Sequence, residues 1–210
     1  MAASQGTLVS LALILSLSAA SSQTKSPRTI SSPPAHHKRL ASTVGDGVSD
    51  GAYPNPSFGF AYKIPFGWVD RTQDMQQSRD EGISKVLLAI FQRPPEARGE
   101  DINSAVVIAT ESPASYRGLK TAADYFGPLE ELTVAKGFKV TKEPYAFFLG
   151  AKTLVRGDFD KPKGTLTMYQ SSMVILEKGT VVSFTFIGGS EDEVNGLIEN
   201  LSFGARRRGR

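Results

Sequence analysis

The chain has 210 residues, 40% of them hydrophobic, which is enough to enclose about one core domain once polar flanks are set aside. Cysteine is absent, which excludes disulfides, thiolate metal sites, a cysteine nucleophile and a lipid-modified bacterial N-terminus. The net charge of +3 comes from the ends: without Lys25, Arg28, Lys38, Arg39, Arg206, Arg207, Arg208 and Arg210, and without Asp46 and Asp50, 16 of the 24 bases and 19 of the 21 acids remain. That body of −3 between Tyr53 and Gly204 is not the footprint of a nucleic-acid-binding surface.

Residues 1–22 read as a secretory signal, with an apolar run from Leu8 to Leu17 followed by small residues suited to cleavage. The run is too short for a membrane span, which needs about 20 apolar residues. No Lys or Arg precedes it, so a retained anchor stands as the alternative to a cleaved leader. Residues 23–52 are rich in Ser, Pro, Thr and Gly, cannot bury enough surface to offset their ordering entropy, and read as a flexible linker. His36 and His37 lie in it beside Lys38 and Arg39, and read as a solvated pair rather than a metal or pH-sensing site.

The folded part opens at Tyr53. Phe58, Phe60, Tyr62 and Ile64 alternate with Gly59, Ala61 and Lys63, as in a half-buried strand. Pro65-Phe66-Gly67-Trp68 then breaks the strand and returns an indole to the sheet. Trp68 and its aromatic neighbours are either a ligand platform or core; as core, Trp68→Ala costs about 3–5 kcal/mol. Further strands are predicted at 86–92, 104–109, 138–148, 151–158, 165–176 and 180–187, with hairpin turns at 160–164 and 177–179. The second half, 139–188, is thus an antiparallel meander.

A helix is predicted over 121–136, with Thr121 and Asp124 as a capping pair and Ala122, Phe126, Leu129, Leu132 and Val134 as its apolar stripe. Gly127-Pro128 should kink or break it, and Gly137 ends it. A last helix starts at Ser190, with Glu193 completing Ser-x-x-Glu and Val194, Leu197, Ile198 and Leu201 on one face. Two polar loops, 69–84 and 93–103, remain. They carry Asp70, Arg71, Asp74, Arg79, Arg93 and Arg98, the candidate partner-binding residues, since long loops in compact domains are often functional. Phe58, Phe60 and Trp68 are assigned structural roles.

Catalytic signatures are missing. The sequence has no Gly-x-Ser-x-Gly, no His-Glu-x-x-His, no phosphate-binding Gly-rich loop and no calcium loop, and both histidines precede the domain. Asp158 with Asp160, and Glu130 with Glu131, read as solvent-exposed charge rather than acid–base pairs. Arg156-Gly157-Asp158 spells an adhesion tripeptide inside a predicted strand and is discounted; Asn200-Leu201-Ser202 is a formal glycosylation sequon at the last helix's end. Four arginines after residue 205 read as a solubilising tail or an anionic contact.

Tyr53, Phe58-Gly59-Phe60, Pro65-x-Gly67-Trp68, Thr185-Phe186-x-Gly188-x-Ser190, Glu193, Ile198 and Phe203 together resemble the PsbP-like superfamily over about 53–203. The resemblance implies an α/β (α+β) domain: an α/β/α sandwich with a central antiparallel sheet of six or seven strands flanked by helices. Members of that grouping act mostly as non-enzymatic binding or assembly subunits, and its residues build the fold rather than a site. The expectation is an exported, periplasmic or secreted, non-catalytic module docking on an envelope or secreted partner, without cofactor, metal or nucleic acid. Membrane contact is expected only through the leader or basic tail. The alternative is a small-molecule or metal-binding extracytoplasmic protein.

Overall fold

The computed structural model describes residues 51–77, 84–97, 99–116 and 118–204. The signal, most of the linker with its histidines, Arg79, Arg98 and the arginines after 205 lie outside the described residues.

Seven strands form the central antiparallel sheet: β3 (Val69–Asp70), β4 (Ser84–Phe91), β5 (Ala105–Glu111), β6 (Lys139–Leu149), β7 (Lys152–Lys163), β8 (Leu166–Glu177) and β9 (Thr180–Gly188). Their order across the sheet is β3-β4-β5-β9-β8-β7-β6. The meander β6 to β9 is as the alternation predicts. Its last turn places both Lys178 (φ 51°) and Gly179 (φ 71°) in the left-handed region, the geometry a two-residue hairpin needs. The turn expected over 160–164 is shorter, because β7 runs on to Lys163 and pairs Pro162 with Thr167. Pairing with β6 stops at Asp160, so Pro162 stands at a local edge where a missing N–H is tolerated.

The first predicted strand belongs elsewhere. β2 (Phe60–Lys63) pairs with β1 (Ala52–Asn55) and β10 (Leu201–Phe203) in a separate three-stranded sheet. Phe60 and Tyr62 are buried as the alternation requires, while Phe58, Ile64 and Trp68 are half-buried against the same core. Leu201, expected on the last helix, is buried from β10 instead.

Helices cover both faces of the central sheet. α3 (Glu191–Glu199) and the small sheet close one face, where Val194, Leu197 and Ile198 meet Leu88, Ile108, Phe184 and Phe186. The Ser190 hydroxyl accepts the Glu193 N–H, and three acids occupy the first turn, where the helix dipole is positive. The Glu193 carboxylate does not reach back to Ser190: it accepts from the Gly189 N–H and the Ser104 hydroxyl, tying α3 to the start of β5.

α2 (Ala122–Ala135) closes the other face with Tyr125, Phe126 and Leu129. Thr121 and Asp124 form the expected capping box. The helix is continuous through Pro128 rather than broken, because only one backbone bond is lost and buried side chains pin both sides of it. Val134, expected in the stripe, is exposed; Thr133 is buried instead, its hydroxyl donating to the Leu129 carbonyl at 2.8 Å.

Candidate functional site

The first polar loop is largely structured. After β3 comes α1 (Thr72–Gln77), whose Gln76 amide donates to the Val86 carbonyl at 2.7 Å and whose Thr72 hydroxyl accepts the Ala89 N–H at 2.9 Å. α1 thus covers the β4 edge that two-residue β3 leaves open. Asp70 accepts the Thr72 N–H at 2.8 Å, opening the helix. Arg71 bridges Asp74 at 2.6 Å and Glu96 of the second loop at 3.2 Å, so the two loops meet. In the second loop Arg93 pairs with Asp101 at 2.7 Å, Asn103 exchanges two bonds with the Arg93 backbone, and Ile102 is buried beneath. Four of the six candidate residues therefore stand where the two loops meet, Asp70 and Asp74 exposed and Arg71 and Arg93 half-buried.

A second polar group lies across the sheet, at the β6–β7–β8 edge under α3, and sequence reasoning missed it. Arg156 and Asp158, two apart on β7, share the α3 face and are both buried. The Arg156 Nε donates to Asp158 at 2.8 Å and its Nη2 to the Asn195 side chain on α3 at 2.9 Å. Its guanidinium carbon sits 5.2 Å from the Phe147 ring centroid and 6.0 Å from that of Tyr145. Asp158 also accepts from the Tyr145 hydroxyl at 3.3 Å. Lys142 stands 3.9 Å from both Asp158 and Glu191, the outer limit of pairing. Partial burial, and then the Asp158 charge, push the Tyr145 phenol above its usual range.

Asp158 is therefore not solvent-exposed charge. The alternation Leu154, Arg156, Asp158 was the available signal: period two carries the charged pair onto the same face as a buried Leu. Gly157 between them faces α2, where an added Cβ would lie 2.6 Å from the Phe126 ring. Directly opposite Asp158 in register is Ser171, fully buried, whose Oγ has no hydrogen-bond partner among the described residues. Charges here sum to zero: Arg156 and Lys142 against Asp158 and Glu191.

On the α2 face a third polar group is structural in character. Buried Glu111 accepts from the Tyr116 hydroxyl, and the Tyr116 and Tyr125 rings meet edge-on at 5.1 Å. Burial, with the Glu111 charge adding to it, pushes the Tyr125 phenol far up. Asn200 of the sequon caps α3, its side chain donating to the Gly196 carbonyl at 3.2 Å. Among the described residues no group of three or more His, Asp or Glu side chains is placed to hold a metal ion, and no helix is long and apolar enough to cross a membrane.

The architecture defines an α+β domain with a central antiparallel sheet faced by helices. No protein-family model and no curated protein matches the chain. Among solved structures it is similar to cyanobacterial PsbP from Synechocystis sp. PCC 6803, at 17% identity and a TM-score of 0.48, over 78% of this chain and 98% of that one. It is also similar to LpqN of Mycobacterium tuberculosis, a protein involved in cell envelope biogenesis, at 16% identity and a TM-score of 0.40, over 70% and 83% of the two chains. Both likenesses are of low identity.

Proposed function

We propose that this chain is an exported, non-catalytic binding or assembly module that docks on an envelope or secreted partner through the surface where its two polar loops join. The observation that supports the reading is the Arg71 bridge to Asp74 and Glu96. It links segments 25 residues apart into one charged face that stays open to solvent and to other charges. The test is affinity capture from native envelope extract with the full chain as bait, at low and moderate salt. A partner retained by the natural chain and lost by the Arg71→Glu, Arg93→Glu double variant supports the reading. A partner that the double variant retains, or no protein partner at all, overturns it.

A second reading, binding of a small polar molecule, is favoured by the unpartnered Ser171 hydroxyl beside a charge-balanced group of Arg, Asp, Asn and Tyr. Saturable binding of a compound from a polar-metabolite set, abolished in Ser171→Val at unchanged thermal stability, would support it. Binding unaffected by that change would place any such site elsewhere.

A further inference from the structure

Single exposed apolar side chains are ordinary on protein surfaces. Phe66 is unusual in degree and in support. It is 105% exposed, while the backbone on either side of it is anchored: Ile64 and Trp68 both pack on the core. Gly67 makes the reversal at φ 81°, and the Trp68 N–H donates to the Pro65 carbonyl at 3.3 Å. Proline fixes its own φ as well, which stiffens the turn on which the exposed ring stands. The parts are those of a membrane interface: an apolar tip, a half-buried indole at its base, and exposed Lys63 on the stem.

A second observation concerns where the chain enters the domain. The Ile64 N–H donates to the Gly51 carbonyl at 2.8 Å. Gly51, the first described residue, therefore lies beside this turn. We propose that the turn Pro65-Phe66-Gly67-Trp68 seats in the headgroup–acyl boundary of a lipid bilayer, with Phe66 inserted and Trp68 at interface depth. The attraction is apolar, because charge around the stem is mixed: Lys63 donates its N–H to the Asn200 carbonyl next to Glu199, and exposed Asp70 follows two residues after Trp68. The contact is independent of docking through the polar loops, and either can fail without the other.

Trp68 is the chain's one tryptophan, so its fluorescence reports on this turn whatever else touches lipid. The full chain is mixed with neutral phosphatidylcholine vesicles, with and without brominated acyl chains. The expected result is a blue shift and bromine quenching that persist at roughly 0.5 M salt, where charges are screened beyond about 4 Å. Phe66→Ser, a change in solvent that leaves packing intact, should lose both signals, and Phe148→Ser, an exposed ring elsewhere, should keep them. Moving the indole to the tip in the Trp68→Phe, Phe66→Trp variant should deepen the quenching. The proposal is overturned if emission stays unchanged while the protein sediments with vesicles, which would leave lipid contact to the N-terminal run or the terminal arginines. It is equally overturned if the protein does not sediment, if salt abolishes the shift, or if Phe66→Ser retains it.

Discussion

Arg71 and Arg156 are each paired with an aspartate close along the chain, at 2.6 and 2.8 Å, yet their surroundings are opposite. The Arg71 pair stands at the β3–β4 end of the sheet, its Asp74 side chain 60% exposed; the Arg156 pair lies between β7 and α3 with both side chains at most 12% exposed. Distance alone ranks the two alike. Burial separates them, because water screens the first pair and offers either partner an alternative, whereas the second has only the protein. The interior pair accordingly has a hydrogen bond to Asn195 and two rings around the guanidinium. The exterior pair binds two loops together and stays open to other charges.

Asp158→Ala should separate the regions most clearly. It leaves Arg156 buried and unpaired, and should lower unfolding stability by about 3–5 kcal/mol in a denaturant titration. The Arg156→Met, Asp158→Leu double variant should recover most of that loss; a double variant as unstable as the single one would show that packing, not charge, holds the site. Gly157→Ala should cost about 1–3 kcal/mol, since the Phe126 ring must give way and is itself stacked on Phe159. Arg71→Ala, by contrast, should change stability by less than about 1 kcal/mol, and that small change should fade with added salt. A larger loss would mean that the loop surface is structurally coupled to the core and not an independent docking face.

The smallest effect is confined to acid. The backbone N–H groups of Lys120 and Thr121, with the Thr121 hydroxyl, hold the Asp124 carboxyl below its usual range. A group whose folded pKa is depressed contributes stability above its unfolded value, about 3.9, and loses it as pH falls through the folded value. Asp124→Asn should therefore differ from the natural chain near neutrality, and the difference should shrink below about pH 4. A difference that is the same at pH 3 as at pH 7 would mean the cap works without its charge.

Half-burial revises one expectation. Trp68 contacts the core but is not enclosed by it, so Trp68→Ala should cost less than the about 3–5 kcal/mol of a fully buried tryptophan.

Local chemistry determined the meander, the two main helices and their caps from the sequence by itself. Period-two alternation, Lys178-Gly179, Thr121 with Asp124, and Ser190 act over a few residues, so nothing distant is needed to read them. Tertiary structure alone decided the rest. β2 joins a separate sheet because β10 arrives from the far end of the domain to pair with it beside its neighbour β1, and β3 and α1 take shape against the edge of β4. α2 continues through Pro128 because the sheet below it supplies the packing that a free helix would lack. Asp158 reads as surface charge in the sequence; α3, β6 and the ring of Phe147 make it and Arg156 interior. Burial is a property of what covers a residue: alternation puts the pair on the face of buried Leu154, but the cover comes from Phe147, Tyr145 and Asn195, 9 to 39 positions away along the chain.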